Sequence, residues 1–236
     1  MFTKSAQYYD ALYHWKDYKA EAEKLDALIR QYKQSDGSTM LDVACGTGAH
    51  MPYLADQYMI EGLDLDEGLL AVARERSPQT VFYQGDMRDF NLGKQFDVVT
   101  CLFSSIGYVK TVEALQQTIA NFARHTRPGG VIIVEPWFPP GFMTLRPPTV
   151  ITVEEAEQKI VRMSYVTLEE RLSTIHFHYL IGTIDGITHL SEEHQLGLFT
   201  VEEHTAAFKD AGLDVTFDPH GLMDRGLYIG TMPREN

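Results

Sequence analysis

Thr39-Met40-Leu41-Asp42-Val43-Ala44-Cys45-Gly46-Thr47-Gly48-Ala49-His50 decides the fold. Leu41 and Val43 give the first half the character of a short buried strand. Gly46 and Gly48 lack a Cβ, so they suit a tight turn and let a ligand approach the backbone closely. A helix beginning near Ala49 or His50 and running to about Gln57 would point free N–H groups at whatever lies over the turn. A nucleotide-type cofactor over the first strand–helix turn of a parallel sheet is the reading that follows. The dinucleotide pattern G-x-G-x-x-G is not met, because its third glycine position is Met51.

Working outward, the chain alternates strands and helices. Residues 58–64 read as a second strand, ending at Asp64, where an α/β nucleotide fold places a carboxylate on ribose hydroxyls. Asp66 reads as the cap of the next helix, through Leu69, Leu70, Val72 and Ala73. Residues 80–86 form a third strand. Asp86 and Met87 follow its glycine, where an acid can accept from an adenine amine; a plain helix cap is the alternative for Asp86. Residues 95–103 are a continuous apolar run that fits a central parallel strand. The residues after it, Ser104 to Tyr108, reach the same edge as the glycine loop. A helix over 112–125, a turn at 127–130, a fifth strand over 131–135 and an irregular loop from Pro136 follow.

The pattern then changes. Residues 149–153, 159–165, 173–180 and 194–199 alternate with period two, and Asp185-Gly186 is a turn signal. These predict an antiparallel sheet inserted over about 148–199. A helix over 200–211, capped by Gly212, and a final hairpin of 215–217 with 226–230 close the chain. Upstream, residues 5–33 read as helical. Their aromatic-rich start, from Gln7 to Tyr18, suits either a lid over the site or a helix packed on the core. The expected architecture is α/β: one domain over 1–236, a doubly wound, mostly parallel seven-stranded sheet with a β insertion after strand 5. A helical lid covers about 1–33.

Composition narrows the partners. The chain has 236 residues, 44% hydrophobic and 22% charged, with net charge −13. Such an acidic chain is repelled by nucleic acid and anionic membranes. The start, Met1-Phe2-Thr3-Lys4-Ser5-Ala6, lacks an apolar signal core, and no apolar run approaches a membrane span. Cys45 and Cys101 fall at expected strand ends and read as buried, reduced thiols of a cytoplasmic enzyme. His176 and His178 share one strand face. Without a third ligand they line a wall or an interface, and no metal is expected.

The run Asp42-Val43-Ala44-Cys45-Gly46-Thr47-Gly48 resembles motif I of the class I S-adenosylmethionine (SAM) methyltransferases, which have a Rossmann-like sheet. Five stretches, 41–48, 85–90, 103–107, 134–137 and 225–227, together with Tyr9-Asp10 and Lys16-Asp17-Tyr18, resemble the TDP-3-amino-deoxysugar N,N-dimethyltransferases. That resemblance implies that SAM, which becomes S-adenosylhomocysteine, contacts Tyr18, Ala44, Asp64, Asp86, Met87 and Leu102 across Gly46 and Gly48. It implies that Tyr9, Tyr13, Trp137 and Arg225 face a sugar nucleotide, and that the inserted sheet helps form a homodimer. Some positions depart from the pattern. The stretch before Lys16 is shorter, Tyr108 replaces a histidine found in one relative type, and Thr174 stands where relatives place an arginine.

Methyl transfer from a sulfonium to an amine needs alignment more than a strong base; alignment alone is worth roughly 7–11 kcal/mol of barrier. Tyr108, leaving strand 4 beside the expected methyl, is the candidate catalytic residue. An ordinary tyrosine titrates near 10, so it suits hydrogen-bonded positioning better than base catalysis; buried packing is the bland alternative. A dianionic nucleotide needs cations, and a guanidinium matches phosphate geometry, so Arg225 is the first choice, with Arg162 or Arg146 as helpers. The expected function is N-methylation of a nucleotide-linked amino sugar. Methylation of another small amine or hydroxyl, or SAM binding without chemistry, are the alternatives.

Overall fold

All six residues of the run Phe96–Cys101 are buried, as a strand covered on both faces must be. The computed structural model describes residues 5–234, so the first four residues of the expected lid lie outside the described residues. The strands are β1 (Thr39–Val43), β2 (Met59–Asp64), β3 (Val81–Gln84), β4 (Phe96–Cys101), β5 (Thr126–Val134), β6 (Thr149–Glu154), β7 (Lys159–Glu169), β8 (Leu172–Thr183), β9 (Gly186–Gly197), β10 (Asp214–Asp218) and β11 (Leu227–Thr231). The helices are α1 (Tyr9–Leu12), α2 (Tyr18–Tyr32), α3 (Glu67–Arg76), α4 (Val112–Arg124) and α5 (Val201–Asp210).

Seven strands form the central sheet in the order β10-β11-β5-β4-β1-β2-β3. β1 pairs in parallel with both β2 and β4, so the chain order reverses direction across it. Loops leaving β1 and β4 therefore part at their C-terminal ends and open a crevice, the usual ligand position of such sheets. Only β11 runs antiparallel to its two neighbours, β5 and β10, which is the expected edge hairpin. Alternate residues face opposite layers. Met40, Val98 and Ile133 pack against Leu25 and Ile29 of α2. Leu41, Val99 and Ile132 pack against Phe122 of α4 and Phe208 of α5. Each fully buried side chain of this size stabilises by roughly 1.5–3 kcal/mol.

The insertion is a separate four-stranded antiparallel sheet, β6-β7-β8-β9. Thr183 pairs with Gly186, so the turn expected at Asp185-Gly186 is present. The inner face, including Ile160, Phe177, Tyr179 and Ile181, packs on Leu12 and Tyr13 of the N-terminal segment. The sheet is thus tied to the main body in part through the N-terminal segment.

Four local expectations are corrected. The single helix over 5–33 is broken between α1 and α2. Asp17 accepts from Ala20 N–H at 2.9 Å and starts α2 as its cap, so residues 13–17 between the two helices are not helical. No α-helix forms over 49–57. There a short 3₁₀ turn, Met51–Tyr53, is followed by mixed bonds to the third and fourth preceding carbonyls. So short a span meets the cost of helix nucleation with little propagation to offset it. Residues 127–130 are not a turn but part of β5. Phe96 pairs with Thr126 while Val98 pairs with Val131, so the extra residues form a bulge, with Gly129 at φ +75°. Finally, β9 begins at Gly186 rather than at 194. Its first half is an exposed edge whose polar residues carry no alternation.

Candidate active site

Backbone conformation prepares the crevice. Ala44 (φ +55°) and Gly46 (φ +57°) leave β1 in left-handed conformations. A Cβ on Gly46 would meet no atom within 4 Å, so this backbone is open to a ligand. Gly48, at φ +67°, differs: a Cβ there would stand 3.2 Å from Met51 Sδ. It shapes the turn, as glycine can without strain, and is not among the residues lining the cleft. After β4, Phe103 (φ +52°) and Ser104 (φ +63°) are also left-handed. Two such non-glycine residues in succession require support. Phe103 N–H donates to Glu135 Oε2 at 2.6 Å, and Ser104 Oγ donates to the Pro136 carbonyl at 2.7 Å.

These loops border a cleft of about 770 Å³. Its lining includes Ala44, Gly46, Asp64, Asp86 and Met87 together with Tyr9, Tyr13, Tyr108, Trp137 and Arg225. A small recess beneath the glycine loop, about 50 Å³, is lined by Tyr18, Ala44, Gly46, His50 and Leu102. Every expected site residue except Gly48 and the helper arginines Arg146 and Arg162 therefore lies on the cleft or its recess.

Asp64 is buried. Its Oδ2 accepts from Gly46 N–H at 2.8 Å and its Oδ1 from Asp66 N–H at 2.9 Å. Burial raises its pKa, against the pull of those bonds. The side chain thus ties the tip of β2 to the glycine loop and still offers lone pairs to the cleft. Asp86 caps no helix, because residues 87–89 form only a turn. It borders the cleft, its Oδ1 accepts from Arg88 N–H at 2.9 Å, and its carboxylate pairs with the Arg88 guanidinium, which holds its pKa low.

The aromatic wall is held by polar ends. Tyr13 packs edge-on to Phe103 with ring centres 5.3 Å apart, and its hydroxyl accepts from Arg162 at 3.1 Å. Trp137 Nε1 donates to Ser173 Oγ at 2.8 Å. Tyr108 Oη lies 2.6 Å from His194 Nδ1, and burial pushes this phenol's pKa well up. Arg225 turns inward: it donates to Ser104 Oγ at 3.0 Å, and its Nε stands 3.6 Å from buried Glu135. Arg162 stacks behind Tyr13 and Arg146 is exposed; neither borders the cleft. The cleft cations are instead Arg88, Lys110 and Arg225.

Trp15, Arg88, Lys110 and His194 border the cleft without having been singled out for it. Trp15 sits in the aromatic segment already flagged as a lid, so that signal was available. His194 is brought to the site by β9, whose register no local pattern reveals; Lys110 follows Tyr108 by two residues, and its Nζ donates to Gln195 Oε1 of β9 at 3.0 Å. Cys45 and Cys101 are free thiols, with Cys101 buried at the end of β4. Among the described residues no group of three or more His, Cys, Asp or Glu side chains could hold a metal ion. No helix there is long and apolar enough to cross a membrane.

The recess has one further feature that suits a bound cofactor. Tyr18 Oη is buried and has no hydrogen-bond partner among the described residues. A buried hydroxyl is normally paired, so this one is poised for a polar ligand group. When bound, SAM supplies a methyl already activated by the positive charge of its sulfur.

Known proteins were then compared. The family model described as a methyltransferase domain matches residues 40–130. The dTDP-3-amino-3,6-dideoxy-α-D-glucopyranose N,N-dimethyltransferase of Streptomyces fradiae is 44% identical over 234 residues, covering 95% of this chain and 89% of that protein. Among solved structures, DesVI of Streptomyces venezuelae superposes with TM-score 0.89 at 38% identity, covering 97% of this chain and 98% of that one. The SAM-bound amino pentose methyltransferase CalS10 of Micromonospora echinaspora gives 0.84 at 36%, covering 94% and 95%. With the glycine loop, the seven-stranded order and the inserted sheet all in place, the chain belongs to the dTDP-amino-deoxysugar N,N-dimethyltransferase family of SAM-dependent class I methyltransferases.

Proposed function

We propose that this enzyme transfers methyl groups from SAM to the amino group of a dTDP-linked amino-deoxysugar, adding two in succession. The observation that carries the reading is the single cleft of about 770 Å³. It runs from the open backbone of Gly46 and the Asp64 carboxylate to an aromatic wall contributed by the N-terminal segment and the inserted sheet. That volume lies in the upper part of the range for small-molecule sites, roughly 300–1,000 Å³, and suits a donor beside an acceptor. Asp64 would hold the ribose and Asp86 would face the adenine, while Tyr18 would meet the amino-acid end. Ala44, Met87 and Leu102 would pack around the donor.

Tyr9, Tyr13 and Trp137 would hold the sugar as flat walls with polar ends. Arg225 would present its guanidinium edge to the sugar nucleotide from within its contacts to Ser104 and Glu135. Lys110 and Arg88, exposed at the rim, add positive charge where the phosphates would leave the cleft. Alignment is then the protein's main contribution to rate. Two free thiols and the nucleotide-linked substrate suit a cytoplasmic enzyme.

A homodimer is part of the same proposal. The outer face of the inserted sheet carries Val150, Val161, Met163, Tyr165 and Leu180, exposed between 36% and 52%. Their cross-strand register places them side by side. An apolar patch of this kind on an otherwise acidic surface fits a second copy of the chain.

The test is direct. The enzyme is mixed with SAM and dTDP-3-amino-3,6-dideoxy-α-D-glucopyranose, and products are weighed by mass spectrometry. One and then two methyl increments on the sugar nucleotide are expected. Calorimetric SAM binding with no methylated product, across a panel of dTDP-linked 3-amino and 4-amino sugars and free amines, would leave a binding module instead.

A further inference from the structure

Tyr108 does not end at the cleft wall. Its Oη lies 2.6 Å from His194 Nδ1, across 86 residues of sequence. The other ring nitrogen, Nε2, stands 3.8 Å from Glu192 Oε2. Glu192 is buried, and its carboxylate accepts from Ser5 N–H at 3.1 Å and Ser5 Oγ at 2.6 Å. A phenol, an imidazole and an anchored carboxylate thus run in line from the cleft into the protein.

We propose that the Tyr108–His194–Glu192 line removes the proton that the acceptor nitrogen must lose after each methyl transfer. Tyr108 is the catalytic residue in this scheme; His194 and Glu192 are positioning residues that act through it. The inference rests on the amine-methylation reading above. A neutral amine that gains a methyl becomes an ammonium. Its N–H bond breaks and an O–H bond forms on Tyr108. The original Tyr108 O–H breaks in concert, and an N–H bond forms at His194 Nδ1. Charge and proton count are conserved, and the resulting imidazolium faces Glu192. The nitrogen recovers its lone pair while still in the cleft, which a second methylation requires.

The surroundings of His194 favour this direction of transfer. Among the described residues, the groups facing the ring include Tyr108 from the turn after β4, Glu192 on its own strand, the Phe177 ring of β8 edge-on at 5.1 Å, and Arg162 of β7, whose guanidinium lies over Phe177. Burial, chiefly, holds the imidazole below the usual histidine range. At neutral pH the ring is therefore neutral and able to accept. Because the Tyr108 phenol is pushed up by burial, it serves as a conduit rather than as a standing phenolate.

Two measurements test the line. Isotope-labelled histidine NMR of the wild type, with no ligand added, should show His194 with Nδ1 unprotonated and accepting, and Tyr108→Phe should shift that nitrogen signal. An Nδ1-protonated ring, or a signal indifferent to Tyr108→Phe, overturns the proposal whatever the substrate. The second measurement is kinetic, with dTDP-3-amino-3,6-dideoxy-α-D-glucopyranose as acceptor. His194→Asn keeps an acceptor near the phenol but cannot take its proton; Tyr108→Phe removes only an oxygen. Each should lower kcat by about a hundredfold, with SAM affinity within about twofold of wild type, and change the acid limb of the kcat–pH profile, leaving only the ionisation of the acceptor amine itself. The double variant should lose no more than the worse single, as groups acting in series do. An acid limb identical to that of the wild type in either variant, or losses that multiply, overturns the line. Wild-type turnover of the same acceptor separately reports on the amino-sugar reading.

Discussion

Tyr18 carries a hydroxyl that nothing among the described residues satisfies, at the floor of the recess under the glycine loop. Leaving such a group unpaired costs about 1–3 kcal/mol, so its persistence points to a ligand contact. Tyr18→Phe should weaken SAM binding about five- to fifteenfold, the worth of one hydrogen bond. The melting temperature without ligand should hold or rise, because the substitution removes an unsatisfied atom. Calorimetry and a melting curve read both; unchanged SAM affinity removes Tyr18 from the site. At this scale much of the site was legible, because Asp64, Asp86 and the glycine loop sit at fixed offsets from strand ends. Arg225 was legible as a cleft residue but not in its attachment to Glu135, since the two meet only when β11 pairs beside β5. The partner of Tyr108 was hidden for the same reason: His194 reaches it through the register of a strand far along the chain.

Elements were legible where burial writes a pattern. The apolar runs of β4 and β5, the capped start of α3 and the span of α5 match expectation closely. Thr200 accepts from Glu203 N–H at 3.2 Å while the Glu203 side chain accepts from Thr200 N–H, a complete capping box. Elements were missed where backbone geometry decides: the turns of 49–57, the β5 bulge, and the polar first half of β9. Within α5, His204 packs between the rings of Phe199 and Tyr228, and neither ring nitrogen has a hydrogen-bond partner among the described residues. Burial pushes its pKa down to about 3, from 6.5 in the unfolded chain. The unfolded state therefore takes up a proton below about pH 6.5 that the folded state refuses, and wild-type stability falls as pH drops from there towards 3. His204→Phe keeps a ring and removes that liability. Its advantage in melting temperature over wild type should be smallest at pH 7 and grow on acidification. The corresponding difference in unfolding free energy at pH 4 should approach about 3.5 kcal/mol, being about two and a half pH units at roughly 1.4 kcal/mol each. An advantage that stays constant with pH would show that His204 is charged in the folded protein.

At the scale of the whole molecule, two features oppose each other. Each chain carries a net charge of −13, so two copies repel at long range. Yet one face of the inserted sheet is apolar, with Val150 opposite Met163 and Val161 opposite Leu180. Tyr165 and His176 stack beside them with ring centres 4.5 Å apart. The inner face, bearing Phe177 and His194, is committed to the cleft, because neighbouring residues on a strand point to opposite sides. A dimer through the outer face would therefore leave each active site intact, and would form by contact burial against electrostatic repulsion. Salt screens repulsion beyond about 10 Å at 0.1 M but leaves the apolar contact in place. Dimerisation, followed by light scattering, should accordingly tighten, not weaken, as salt is raised from 10 to 150 mM. Met163→Glu would set a charge at the middle of this face in both copies. It should yield a monomer at any salt, with SAM affinity within about twofold of wild type, since the variant side chain stands on the face away from the donor. A wild type that stays monomeric at high concentration, or a Met163→Glu protein that still dimerises, would place the assembly surface elsewhere.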